Sequence, residues 1–230
     1  MSNEQISLNT DLDKRIVIRI DEMDWTPSPG GHVLRKRLHL SGRSESGQVT
    51  SVVRYLPGAR FPSHDHPEGE EILVLDGVFS DEYGDWPAGT YLLNPEGFAH
   101  APYSEEGCTL FVKLRQFPGH ERDHVASQTR DEPWRASVKK TASWKKLYAQ
   151  EPYADFMRLE HWENPSDIGE ITFPQGAELF VLNGSFDDDY GHYPMHTWLR
   201  IPAGESLTPT SQDFCELYIK EGGFTYLRQA

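Results

Sequence analysis

Residues 67–113 lie over residues 174–220 at a constant shift of 107, without a gap, and 20 of the 47 aligned positions are identical. EEILVLDGVFSDEYGDWPAGTYLLNPEG (70–97) falls on AELFVLNGSFDDDYGHYPMHTWLRIPAG (177–204), so Gly77, Phe79, Pro87, Pro95 and Gly97 meet Gly184, Phe186, Pro194, Pro202 and Gly204. Cys108 and Lys113 meet Cys215 and Lys220. A register this long fixes the organisation before any local propensity is weighed. The 230 residues are two copies of one unit of roughly a hundred residues, an ordinary size for a domain. The expected division is an N-terminal unit over 1–117, a connector over 118–146 and a C-terminal unit over 147–230.

Each copy reads as all-β. Short apolar runs, TSVVRYL (50–56), EILVL (71–75), TYLL (90–93) and TLFVKL (109–114), are rich in Val, Leu, Tyr and Phe and are bounded by Gly, Pro, Asn and Asp. In the last run Leu110, Val112 and Leu114 share one face while Phe111 and Lys113 take the other. Helical periodicity is weak throughout, with SWKKLYAQ (143–150) the one stretch that could carry it. The expected architecture is a tandem pair of β-barrels.

Composition narrows the function classes. With 22 Lys and Arg against 36 Asp and Glu, the formal net charge is −14. Nucleic acid is bound mainly through basic groups on phosphates, so this chain is not expected to bind it. No apolar run reaches the ~20 residues of a membrane helix. MSNEQISLNTDLDK is acidic and lacks the apolar core of a secretory signal. Two cysteines without a C-x-x-C make neither a disulfide framework nor a zinc ribbon. The expected compartment is the cytoplasm, with both thiols reduced and buried. Residues 113–146 hold nine bases against four acids. They read as a solvated connector lying across an acidic surface, or as a docking site for an acidic partner.

The chemistry sits in the first copy. It contains Gly58-x5-His64-x-His66-x3-Glu70-x6-Gly77 and then Gly89-x5-Pro95-x-Gly97-x2-His100. Residues i and i+2 of a strand point the same way, so His64 and His66 offer two imidazoles to one face. A turn at 67–69 brings Glu70 onto the next strand, and His100 follows the Pro95/Gly97 turn. Three imidazoles and a carboxylate suit Zn, Fe(II), Ni, Cu or Mn, and disfavour Ca and Mg. The second copy acts as an internal control. His64 falls on Ile171, His66 on Phe173, Glu70 on Ala177 and His100 on Leu207, while the surrounding glycines and prolines persist. A metal site lost from one copy leaves this pattern, so the second barrel is expected to be metal-free and filled by side chains. Glu71 survives as Glu178, which singles out Glu70 rather than its neighbour as the fourth ligand.

Aromatic residues near the motif, Phe61, Tyr91, Phe98 and Tyr103, are candidates for the wall of an apolar pocket. Phe98 and Tyr103 fall on Glu205 and Thr210 and so are particular to the first copy. His120, His124, His192 and His196 lie outside the ligand positions and are expected to be solvated.

The two motifs are those of the cupin superfamily, and the chain resembles a bicupin: two tandem double-stranded β-helix (jelly-roll) barrels. The stretch PGARFPSHDHPEGEEILVLDGVFSDEYGDWPAGTYLLNPEGFAHAPYSEEGCTLFVKL (57–114) is similar to the cupin of ChrR-type anti-sigma factors. That resemblance implies one metal, zinc in the anti-sigma members, on His64, His66, Glu70 and His100, and it implies a sigma factor as partner. Those proteins also carry an N-terminal helical zinc domain with a C-x-x-C, whereas residues 1–24 here hold neither His nor Cys. Sequestration of a sigma factor in that family's way is therefore not expected. Relatives with similar cupins include iron-dependent dioxygenases that cleave diketones or hydroxyacetophenones. Two readings follow: a regulatory sensor or small-molecule binding module with a closed metal shell, or a non-haem iron oxygenase with open coordination. The ligand of either would be a small molecule or a redox signal, and cupins often pair through sheet edges into homodimers.

Overall fold

The computed structural model describes residues 5–139, 141–211 and 213–228; Lys140, one of the bases of the 113–146 segment, and the first four residues of MSNEQISLNTDLDK lie outside the described residues. The chain forms two compact units, neither continuous in sequence. The first comprises 23–131 with 5–10 and 226–228, and the second comprises 132–225 with 11–22. Both are antiparallel double-stranded β-helix barrels.

In the first unit the sheet runs in the order Gln5–Leu8, Val33–Arg43, Gln48–Tyr55, Cys108–Leu114, Glu70–Asp81, Thr90–Asn94 and Val125–Gln128. A small two-stranded sheet, His64–Asp65 with Ala99–His100, lies apart from it. The second unit repeats the scheme: Arg135–Ala136, Ala142–Ala149, Phe156–Trp162, Cys215–Glu221, Ala177–Asp188, Thr197–Ile201 and Ile16–Arg19, with Ile171–Thr172 and Ser206–Leu207 as the small sheet. Each barrel is thus finished by the leading strand of the other repeat. Val125–Gln128 covers the edge of Thr90–Asn94 in the first unit, and Ile16–Arg19 covers Thr197–Ile201 in the second. Covering an edge satisfies backbone groups that would otherwise invite another chain. Residues 118–146 accordingly divide between the two units.

Strand alternation places the cores. Leu110 and Val112 join Ile72, Val74, Phe79, Leu92 and Cys108 inside the first barrel, with Leu114 packed against them. Phe111 and Lys113 are buried on the other face. Cys108 and Cys215 are both free and buried; burial pushes the Cys108 thiol up to about 11 and raises Cys215 as well, so neither is a reactive thiolate. The motif glycine Gly77 and its counterpart Gly184 have φ of +73° and +71°, and a Cβ on either would run into the backbone carbonyl of Gly107 or Phe214. Backbone geometry therefore preserves this glycine in both copies, with or without a metal.

SWKKLYAQ is not helical. It lies in the strand Ala142–Ala149, paired with Phe156–Trp162 through a bulge between Lys146 and Tyr148. The bulge breaks the two-residue alternation, so Leu147 and Tyr148 are both buried and the pattern mimics a longer period.

Candidate metal centre

The short sheet of the first unit sets His64 directly opposite His100. The turn that follows, with Glu68 and Gly69 at positive φ, carries the chain from His66 to Glu70 at the start of the long strand Glu70–Asp81. One ligand-type nitrogen from each of His64, His66 and His100 falls within 4.8 Å of the others, and among the described residues no other group of three or more His, Cys, Asp or Glu side chains does so. His66 Nε2 and His100 Nε2 are 2.9 Å apart. Glu70 Oε2 lies 3.4 Å from His66 Nε2 and 3.6 Å from His100 Nε2. His100 is fully buried, His66 and Glu70 nearly so, and His64 is exposed. The cluster is a buried floor with one ring at its rim.

Neighbouring acceptors fix which nitrogens face inward. His100 Nδ1 donates to Asp81 Oδ2 at 3.0 Å, and His64 Nδ1 donates to the Pro62 carbonyl at 2.9 Å. Each bond spends the Nδ1 proton and leaves the Nε2 lone pair available, the arrangement a metal-binding imidazole requires. Asn94 Nδ2 donates to Glu70 Oε2 at 2.9 Å and fixes the carboxylate. Asp81 is itself held by the Tyr83 and Gly84 backbone N–H groups and the Trp86 indole. Burial, with the rings of His100 and His64 alongside, lowers the pKa of His66 against the pull of Glu70. Burial also opposes charge on His100, but the Asp81 hydrogen bond and the field of Glu70 outweigh it and raise its pKa. Burial would raise Asp81, and its bonds from His100, Tyr83 and Trp86 lower it instead. Three converging nitrogens and an oriented carboxylate fit a divalent transition metal and leave no all-oxygen shell for calcium or magnesium.

A cavity of about 370 Å³ opens on this cluster, lined by His64, His66, Phe61, Val53, Val112 and Leu114, with Arg35 and Arg37 on the same wall. A deeper space of about 130 Å³ shares Arg35, Phe61, His64 and His66 and continues to Glu70, Tyr55, Phe79 and Leu110.

Of the four aromatic pocket candidates, only Phe61 lines these spaces. Tyr91 is fully buried on the face opposite Leu92, its hydroxyl donating to Glu71 Oε1 at 2.8 Å, so strand alternation turns it away from the barrel interior. Phe98 packs between Tyr83 and His124 with its ring edge-on to His100, and lines neither space. Tyr103 lies under the Arg60 guanidinium. Asp81, Asn94, Arg35 and Arg37 are the site residues that motif reasoning missed. Asn94 falls on Ile201 and so carried a signal in the copy comparison; Asp81 falls on Asp188 and carried none.

In the second unit the equivalent four positions are apolar and packed. Phe173, Ala177 and Leu207 belong to one buried cluster with Trp162, Phe186 and Ile201, and Ile171 lies against it. Ile171 pairs with Leu207 in the register that joins His64 to His100. Asp188 keeps the turn bonds of Asp81, accepting from the Tyr190 and Gly191 backbone N–H groups and from the Tyr193 hydroxyl in place of the Trp86 indole, and takes Arg15 Nη1 at 2.6 Å where Asp81 takes His100.

The chain matches the model of the ChrR Cupin-like domain twice, over residues 13–118 and 122–225. A search of curated proteins finds no significant sequence match. Among solved structures it is similar to a "putative dioxygenase" of Nostoc punctiforme (TM-score 0.74, 15% identity, 92% of this chain and 84% of that one). It is similar also to the YlbA protein of Escherichia coli (TM-score 0.69, 15% identity, 94% of each chain). A third likeness is to the E. coli pirin YhhW in complex with nickel(II) (TM-score 0.63, 13% identity, 91% of this chain and 99% of that one). At these identities the likenesses establish the fold. No described helix is long and apolar enough to cross a membrane.

Proposed function

The chain belongs to the ChrR cupin-like family, and we propose that its first barrel binds one divalent transition metal through His64, His66, His100 and Glu70 and presents it to a small organic molecule, as a non-haem metal oxygenase does. The observation that carries this reading is the cavity that opens on His64 and His66. A closed zinc shell, as in a structural or sensing site, would leave that opening without a role. A protein of the same fold solved in complex with nickel(II) agrees with metal binding by such a barrel. The proposal needs neither a sigma factor nor an N-terminal zinc domain.

Bound there, a divalent transition metal supplies Lewis acidity and a template for a small ligand, and iron(II) adds chemistry with O₂. The chain's own residues do the rest. Asp81 and the Pro62 carbonyl hold the His100 and His64 rings with Nε2 inward. Asn94 keeps Glu70 Oε2 turned towards His66 and His100. Val53, Val112 and Leu114 exclude water from the approach, and His64, exposed at the rim, is the ring nearest the entering molecule.

Open coordination is tested with the cobalt(II)-loaded protein. Its visible d–d absorption is expected to change on addition of azide; an unchanged spectrum would show a closed shell and overturn the oxygenase reading. The orienting role of Asp81 has its own test. Asp81→Asn is expected to weaken metal binding about 10–100-fold, the usual cost of losing such a partner. Competition with a chromogenic chelator measures this, and an undiminished affinity would show that packing alone orients His100.

A further inference from the structure

The cavity wall that carries Val53 also carries a guanidinium pair, Arg35 lying beside Val53 and Arg37 beside Ser51 in the strand register. Arg35 and Arg37 project from the strand Val33–Arg43, two residues apart and hence on one face. A single carboxylate serves both. Glu45 Oε2 is 2.8 Å from Arg35 Nη1, and Glu45 Oε1 is 3.2 Å from Arg37 Nη2. Arg115 lines the same space, and against Glu45 and Asp65 the three arginines leave a surplus of one positive charge. The pair is sheltered, with side chains 21% and 18% exposed, while Glu45 is 45% exposed on the hairpin beyond. In a chain of net charge −14 a cavity with surplus positive charge is a specific local feature, and low-dielectric walls strengthen its field.

The second copy again serves as the control. The matching strand bulges, Arg37/His39 and Lys146/Tyr148, align Arg35 with Trp144 and Arg37 with Lys146. The walls change too: Ser51, Val53 and Leu114 fall on Arg158, Glu160 and Glu221. Arg158 forms ion pairs with both Glu160 and Glu221, and the Trp162 indole donates to Glu160 Oε2. The barrel that lost its imidazoles has filled these positions with groups that satisfy one another. The barrel that kept them has left apolar walls and a cationic rim.

The geometry points to the class of molecule that enters: a small amphipathic carboxylic acid, its carboxylate on Arg35 and Arg37 and its apolar body along Val53, Val112 and Leu114, reaching towards the imidazoles. The planar forks of two arginines match a carboxylate, and Glu45 neutralises only one of them. This inference rests on the reading of the histidine cluster as a metal centre facing the cavity.

The test is calorimetric titration of the full chain with hexanoate and phenylacetate against the neutral hexanamide and phenylacetamide. Metal content is measured by mass spectrometry on the same samples. The acids are expected to bind about tenfold or more tightly than the amides, the scale of one charge-assisted contact. Arg35→Met and Arg37→Met should each remove most of that preference, weakening acid binding far more than amide binding. Glu45→Gln, which frees the second guanidinium, should tighten acid binding, an effect that misfolding cannot imitate. Equal binding of acids and amides, or no acid binding at millimolar concentration, overturns the inference. So does an acid preference that survives both arginine variants and disappears with the metal, since the carboxylate would then sit at the histidines. Absence of metal from the wild-type samples is a separate failure, of the metal reading itself.

Discussion

Alanine at His66 or His100 is expected to strip the metal from the protein, while alanine at Phe173 or Leu207 leaves metal content at the wild-type level. The contrast follows from position-by-position equivalence: His66 and Phe173, and His100 and Leu207, occupy the same places in two barrels of the same topology. In the first barrel both rings are buried, with Nε2 atoms 2.9 Å apart beside Glu70. Removing either takes away one of the two buried imidazoles and leaves Glu70 with two imidazoles, one of them His64 at the exposed rim, so water reaches the floor of the site and the weakened metal is lost during purification. Elemental analysis of the purified variants measures the outcome. Metal retained by His66→Ala at wild-type stoichiometry would sink the ligand assignment.

The same equivalence predicts the reverse pattern for stability. Phe173 is fully buried within a cluster that includes Trp162, Phe186 and Ile201, so Phe173→Ala removes a large side chain from a packed interior. The expected cost is about 3–5 kcal/mol, the range for losing a buried aromatic ring together with the cavity it leaves. Leu207→Ala should cost about 2–5 kcal/mol by the same mechanism. Urea unfolding monitored by tryptophan fluorescence, with Trp162 and Trp198 as buried reporters in the second unit, measures both. A cost below about 1 kcal/mol for Phe173→Ala, the level of an average substitution, would show that the former ligand site is not a filled core.

The two barrels, the apolar filling of the second and the convergence of His64, His66, Glu70 and His100 were all legible in the sequence, because one copy could be subtracted from the other. That subtraction detects only what changed. Asp81 orients His100, yet its counterpart Asp188 persists because it caps the same turn through Tyr190, Gly191 and Tyr193, with Arg15 in place of the histidine, so a residue held by a shared turn leaves no difference to find. Asn94, which became Ile201, was detectable in principle, but it lies in the apolar run beside TYLL and reads as a strand end. The exchange of leading strands was hidden for another reason. Val125–Gln128 and Ile16–Arg19 are four residues each, and nothing in VASQ or IVIR states which sheet edge it will cover. Tyr91, Phe98 and Tyr103 stand near the motif in sequence, and Phe98 and Tyr103 are particular to the first copy, whereas the cavity wall is built from strands distant in sequence. Its arginines, Arg35 and Arg37, precede the motif by some thirty residues and meet it only through the pairing of Val33–Arg43 with Gln48–Tyr55 and of that strand with Cys108–Leu114.

Elemental analysis by mass spectrometry, on protein purified without a metal-chelating tag, tests the central claim most directly. One equivalent of a transition metal per chain in the wild type, none in His66→Ala and one in Phe173→Ala is the predicted result. No metal in the wild type, or two equivalents per chain, would contradict the account of one metal-binding barrel and one whose site has been closed by packing.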